Sequence, residues 1–301
     1  MKDELIKGHA AAFFTAILWG TTFISTKVLL RDFAPVEILF IRFLLGLMAL
    51  FIAYPKRFKS RSVREEAIFA LAGLTGICLY YLLENIALTF TMASNVSVVV
   101  AVAPFFTAIL SRIMIDRSER LGAGFFLGFI LSMAGIAIIS FSGSELKLNP
   151  FGDLLALLAA VTWACYSVLT KKISSFVYNT LLTTRRIFCY GIIFMIPVLR
   201  FMDFSPDISS LTKPINLANL LFLGLGASAA CFVTWNYAVK LLGAVRTSVY
   251  IYLVPVITVI ASILILKEPF TFMTGLGTLL TLSGLICSEI KAGIRHKNKE
   301  S

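Results

Sequence analysis

The chain has 301 residues, 58% of them hydrophobic and 14% charged, with a mean hydropathy of +0.90. A soluble domain is about 45 to 50% apolar and about 25% charged, so this composition excludes a soluble enzyme or binding module and puts the chain in a bilayer. The net charge of +11 does not mark a nucleic-acid binder, because the Lys and Arg residues lie in short segments between apolar runs and not on one continuous face.

A hydrocarbon core of about 30 Å takes about 20 apolar residues as a helix. In chain order that window predicts ten spans: 9–30, 33–54, 67–90, 93–115, 121–141, 151–171, 180–200, 218–241, 244–266 and 271–290. The first follows Lys2 and Lys7 and is longer than a signal-peptide core of about 7 to 15 residues, so it reads as an uncleaved span. Eighteen basic residues cluster at the N-terminus, at every second joint and in the tail, against five on the other side. By the positive-inside rule both termini are cytoplasmic. The five cysteines all fall inside apolar runs without a CxxC spacing, which suits small core residues better than disulfides or metal ligands.

The two halves of the chain echo each other. Trp19 matches Trp163, Lys27 matches Lys171, Arg42 matches Arg186, Asn85 matches Asn236, Pro104 matches Pro255, and Glu119 and Gly128 match Glu268 and Gly277, at shifts of 144 to 151 residues. Five spans per half is an odd number, so the second half enters from the opposite side and the repeats are inverted. The expected fold is therefore an all-α integral membrane protein of ten transmembrane helices in two inverted five-helix repeats. The repeats are 9–141 and 151–290, with a linker at 142–150 and a basic cytoplasmic tail at 291–301.

This set resembles the drug/metabolite transporter superfamily, EamA type. The likeness rests on a Trp in the first span of each half, an Arg in the second, the Asn/Ala-rich joint followed by a mid-helix Pro, and a Glu before a Gly-rich fifth span. It covers about residues 9 to 290. The resemblance implies a multi-pass protein of a bacterial cytoplasmic membrane that moves small metabolites, often amino acids, usually outward.

Candidate site residues follow from helical spacing. Trp19 and Thr22 share a face, as do Trp163, Tyr166 and Ser167; Tyr81 precedes Asn85 by one turn, Phe232 precedes Asn236, and Tyr250 and Tyr252 add aromatic area. Together they predict an aromatic cavity with scattered hydroxyls and amides, suited to a molecule of amino-acid size with one apolar part. Packing between helices and interfacial aromatic belts account for such residues too, but less well for Trp19 and Trp163, midway along their spans. Pro104 and Pro255 each leave a carbonyl without its donor and are hinge candidates, with a plain packing kink as the alternative.

Charges inside spans are costly and default to functional hypotheses. Glu84 is the one carboxylate well inside a predicted span, expected to pair with Arg42 or Lys27 and to be a proton-coupling site. In the second half Lys171, Arg185 and Arg186 have no evident acid partner, and an attraction for a carboxylate-bearing substrate or anchoring to the inner leaflet would use them. Glu84 has Trp235 opposite it in the other repeat, and that mismatch is the expected seat of coupling or selectivity.

The histidines, His9 and His296, stand at the chain ends, and no nucleotide motif or metal-ligand cluster is present in the sequence. The reading is a secondary transporter exporting a small metabolite by alternating access, with a small-molecule substrate, the lipid bilayer and a coupling proton as partners and no cofactor or nucleic acid. A passive channel or facilitator is the alternative, and an intramembrane enzyme stands behind it.

Overall fold

In a computed structural model the described residues are 2–90, 93–115, 122–141, 149–202, 204–266 and 272–297. The matched pair Glu119 and Glu268, most of the linker (142–148) and the tail beyond Lys297 lie outside them. Among the described residues there are helices and turns and no strand.

The first half holds α1 (Lys2–Leu29), α2 (Pro35–Ala53), α3 (Val63–Phe90), α4 (Ala93–Val100), α5 (Ala103–Met114) and α6 (Ala123–Phe141). After it come α7 (Pro150–Ser174), α8 (Thr180–Phe201), the short α9 (Ile208–Thr212), α10 (Pro214–Leu242), α11 (Ala244–Val249), α12 (Leu253–Leu266) and α13 (Phe272–Lys297). Six of these, α1, α2, α3, α7, α8 and α10, are long and apolar enough to cross a membrane. Four shorter apolar segments accompany them, Ala103–Met114, Ala123–Ile138, Ala244–Thr258 and Gly275–Ser288.

Local chemistry sets the helix starts. Asn149 caps α7, its Oδ1 accepting from the Phe151 and Gly152 amides, and Pro150 fills the first position, where no donor is needed. At α2 the Ala34 side chain cannot cap, and Glu37 reaches back to accept from the Ala34 amide at 2.8 Å. Ser62 caps α3. That cap starts the third helix at Val63, four residues before the predicted span, and carries Glu65 and Glu66 into the bundle.

Polarity is distributed as a bilayer requires. Large apolar side chains such as Ile52, Ile130, Phe201 and Leu279 are exposed, while Arg42, Glu84, Asn85 and Asn236 are buried. Small residues let α6 and α13 approach closely: a Cβ on Gly128 would lie 2.6 Å from the Gly284 carbonyl, and one on Gly135 would lie 2.5 Å from the Gly277 carbonyl.

Four helices are interrupted, in matching pairs. α3 carries a π-helical stretch at Leu74–Leu79 and α10 another at Phe222–Ala230, each one turn or so before the buried Asn. The chain also breaks between α4 and α5 at Ala101 and Val102, just before Pro104. A 3₁₀ turn, Tyr250–Tyr252, separates α11 from α12 just before Pro255. Such interruptions concentrate at functional positions because they free backbone groups and let a helix bend.

Candidate functional site

The π-helical stretch in α10 redirects its carbonyls, and one of them, Ala227 O, accepts the Trp19 indole N–H at 3.0 Å. That bond fixes Trp19 edge-on to Trp163, with centroids 5.1 Å apart, and 5.0 Å from Trp235. Trp163 and Trp235 are 5.7 Å apart, so all three tryptophans of the chain form one cluster. Phe232 sits at its hub, in ring contact with Trp19, Trp163, Tyr166, Tyr81 and Phe43. Gly76, in the other π-helical stretch, makes room for Tyr166, since a Cβ there would fall 2.1 Å from its ring.

Against this cluster lies a cavity of about 30 Å³, lined by Trp19, Thr22, Phe23, Tyr80, Tyr81, Glu84, Ser97, Val100, Trp163, Ile251 and Val254. Its walls come from α1, α3, α4, α7 and α12 and from the 3₁₀ turn before α12, so both parts of the chain contribute. The volume holds one or two waters and is too small for an amino acid. A second, smaller space of about 20 Å³ lies among α7, α8 and α10, with Asn236, Thr170, Thr183 and Lys240 on its wall.

Trp19, Thr22, Tyr81, Glu84 and Trp163 line the cavity, and Phe232 lies against the Trp19, Tyr81 and Trp163 rings. The amides divide. Asn236 accepts from the Tyr166 hydroxyl at 2.7 Å and donates to Thr184 Oγ1 at 3.0 Å, which ties α7, α8 and α10 together. Asn85 donates to the Pro35 carbonyl at 3.2 Å, joining α3 to the start of α2, and its Oδ1 has no partner among the described residues. Ser167 Oγ also lacks one.

Other expectations are corrected. Tyr250 points away from the cavity, its hydroxyl 2.7 Å from His9 Nδ1, because the 3₁₀ turn rotates it toward the start of α1. Tyr252 lies in a separate apolar cluster with Ala101, Ala108, Phe125, Ile136 and Val249. Glu84 makes no ion pair with Arg42 or Lys27; among the described residues the pairs are Arg186–Glu66 and Lys213–Asp32. Lys27 instead donates to the Leu88 carbonyl at 3.0 Å, at the C-terminal end of α3, where a helix dipole favours a cation. Tyr80 shares the cavity wall with Glu84.

Arg186 does have an acid. It pairs with Glu66 at 2.9 Å, and Tyr190 donates to the same carboxylate at 2.6 Å. The early start of α3 brings that acid within reach. Arg185 donates to the Tyr54 and Lys56 carbonyls and stacks on Phe51, holding the end of α2. Both arginines are therefore engaged by the protein itself.

Some contributors were missed from the sequence. Trp235 is part of the aromatic cluster and not merely a mismatch to Glu84; its position three residues after Phe232, on the same helical face, was the available signal. Tyr80 and Ser228 had none beyond adjacency to Tyr81 and to the Gly-rich stretch of α10. Among the described residues no group of His, Cys, Asp and Glu could hold a metal ion, and the five cysteines are free.

Comparison with known proteins follows the same division of the chain. The profile of the EamA-like transporter family matches residues 6–141 and again 150–289. An uncharacterized transporter of Archaeoglobus fulgidus is 29% identical over 95% of this chain and 98% of its own length, and another from that organism is 30% identical over 90% and 94%. A probable terminal-alkyne amino-acid exporter of Streptantibioticus cattleyicolor is 26% identical over 94% of this chain and 93% of its own. A crystal structure superposes with a TM-score of 0.78 at 19% identity, over 98% of this chain and 99% of the other, which speaks to the fold alone. The chain belongs to the EamA-like transporter family and is a membrane transporter of that type.

Proposed function

We propose that this transporter is a secondary carrier exporting a small amphipathic metabolite, such as an amino acid, across the cytoplasmic membrane by alternating access. In this reading ten spans form two inverted five-helix repeats, 9–141 and 151–290, with both termini in the cytoplasm and Glu84 as the proton-coupling group. The observation that carries it is the aromatic cavity, whose walls come from both parts of the chain. At about 30 Å³ the cavity must expand to admit a substrate, and broken helices at Pro104 and Pro255 border it from both repeats. A rigid channel needs no such change. The amino-acid exporter relative from Streptantibioticus cattleyicolor supports the substrate class.

The test is counterflow in proteoliposomes. Vesicles loaded with a high concentration of unlabelled amino acid and diluted into a trace of labelled amino acid should transiently accumulate label above its equilibrium level. Simple equilibration without overshoot would mean a channel, and recovery of a chemically altered solute would mean an enzyme; either result sinks the carrier reading.

A further inference from the structure

Three hydrogen-bond donors in the aromatic cluster are buried and without a partner among the described residues: Arg42 Nη2, Trp163 Nε1 and Trp235 Nε1. Each belongs to a side chain at least 98% buried, where an unpaired donor carries its full desolvation cost. The arginine is the unusual member. Its guanidinium stacks on the Tyr81 ring at 4.4 Å and its Nε donates to Ser228 Oγ at 3.0 Å, in the π-helical stretch of α10, yet no carboxylate pairs with it among the described residues. Helix packing alone gives no use for a held and oriented cation with one free edge. Tyr81 and Trp163 are both cavity walls, and Phe232 contacts both rings; Arg42 lies behind the Tyr81 wall and Trp235 beside the Trp163 wall.

We propose that Arg42, with the Trp163 and Trp235 indole N–H groups, is the seat for the carboxylate of the transported molecule. This rests on the carrier reading above and names the chemistry its substrate must carry. The guanidinium supplies the charge and an unpartnered Nη2, which suits a carboxylate oxygen. The indoles supply uncharged donors beside it, and the surrounding rings take the apolar remainder of the solute. Opening the cavity by movement of Tyr81, which stacks on the guanidinium, would expose the seat.

The three tryptophans of the chain are all in this cluster, so intrinsic fluorescence of the whole protein in nanodiscs reads the site directly. The probes are L-leucine, 4-methylpentanoate and isoamylamine, which share a branched carbon skeleton; only the first two carry a carboxylate. Both carboxylates are expected to change the tryptophan emission saturably, with isoamylamine at least about tenfold weaker. Arg42→Gln should weaken both carboxylates by at least about tenfold, and Arg42→Lys should restore part of that affinity, because it keeps the charge without the fork. Isoamylamine binding as well as the acids, an absence of response to either acid, or unchanged acid affinity in Arg42→Gln would each overturn the proposal. The comparison among probes uses the unaltered protein, so it stands even if the substitution prevents folding. Counterflow of a neutral or cationic solute alongside a failed acid titration would leave the carrier reading intact while removing the carboxylate seat.

Discussion

Two buried asparagines at matching positions have different jobs. Asn236 is engaged through both ends of its amide, to Tyr166 and to Thr184, whereas Asn85 holds only the Pro35 carbonyl. Removing Asn236 strands two buried hydroxyls, each costing about 1 to 3 kcal/mol. Asn236→Ala should therefore lower the thermal midpoint in detergent clearly more than Asn85→Ala, and equal losses would contradict the assigned bonding. Glu84→Gln is expected to leave the fold intact and to abolish the dependence of flux on an imposed pH gradient; proteoliposome flux at matched and opposed pH checks it. That Trp19 shares a face with Thr22, and Trp163 with Tyr166, was legible because one helical turn puts such residues on one side of a helix; that α1, α3 and α7 meet at one cavity was not. The partners of Arg186 and Lys27 were not legible, since nothing local in the sequence specifies which neighbouring helix presents Glu66 or the Leu88 carbonyl.

At the level of elements, the interrupted helices are the main feature. The two prolines were readable as candidate breaks because a proline inside a predicted span removes a backbone donor. The π-helical stretches were not readable, because they are made by neighbours. Gly76 is the clearest case: Tyr166 from α7 occupies the space its side chain would need. Gly76→Ala should displace Tyr166 from Asn236 and destabilise the protein by about 1 to 3 kcal/mol, as overpacking does, with a visible change in tryptophan emission from the adjoining cluster. Pro104→Ala and Pro255→Ala restore a backbone donor at each break. Each should preserve or raise thermal stability while slowing counterflow, and an undiminished rate in both variants would remove the hinge assignment.

Across the whole molecule, polar ties close both ends of the bundle. At the end where α1 meets α2, Asp32 accepts from Asn216 at 2.7 Å and from Lys213 at 2.9 Å, and Glu37 accepts from the Ser205 amide at 3.1 Å. The hydrogen bonds from Asn216 and then Lys213 hold the Asp32 carboxyl below its ordinary value, against desolvation and, less, the charge of Asp207. The tie is therefore fully present above the ordinary carboxylate pKa and is lost as pH falls through the lowered one. Protection of the α9 and early α10 amides, taken relative to their intrinsic exchange rate at each pH, should fall over that acidic window and stay level between neutral and mildly alkaline pH, and Asp32→Asn should remove the step. At the other end Glu66 binds Arg186 and Tyr190, joining α3 to α8.

Composition and hydrophobic run length by themselves determined that this chain lives in a bilayer as apolar helices, and helical spacing determined which residues share a face of one helix. Those properties depend on solvent and on helical periodicity, both of which act locally. Tertiary structure alone decided how the polar groups are matched: that Trp235 joins the aromatic cluster, that Glu84 has no direct cation, that Arg186 has an acid, and that Arg42 keeps a free edge. In a bilayer interior a polar group takes whatever partner a neighbouring helix presents, and that choice is fixed only when the helices have packed.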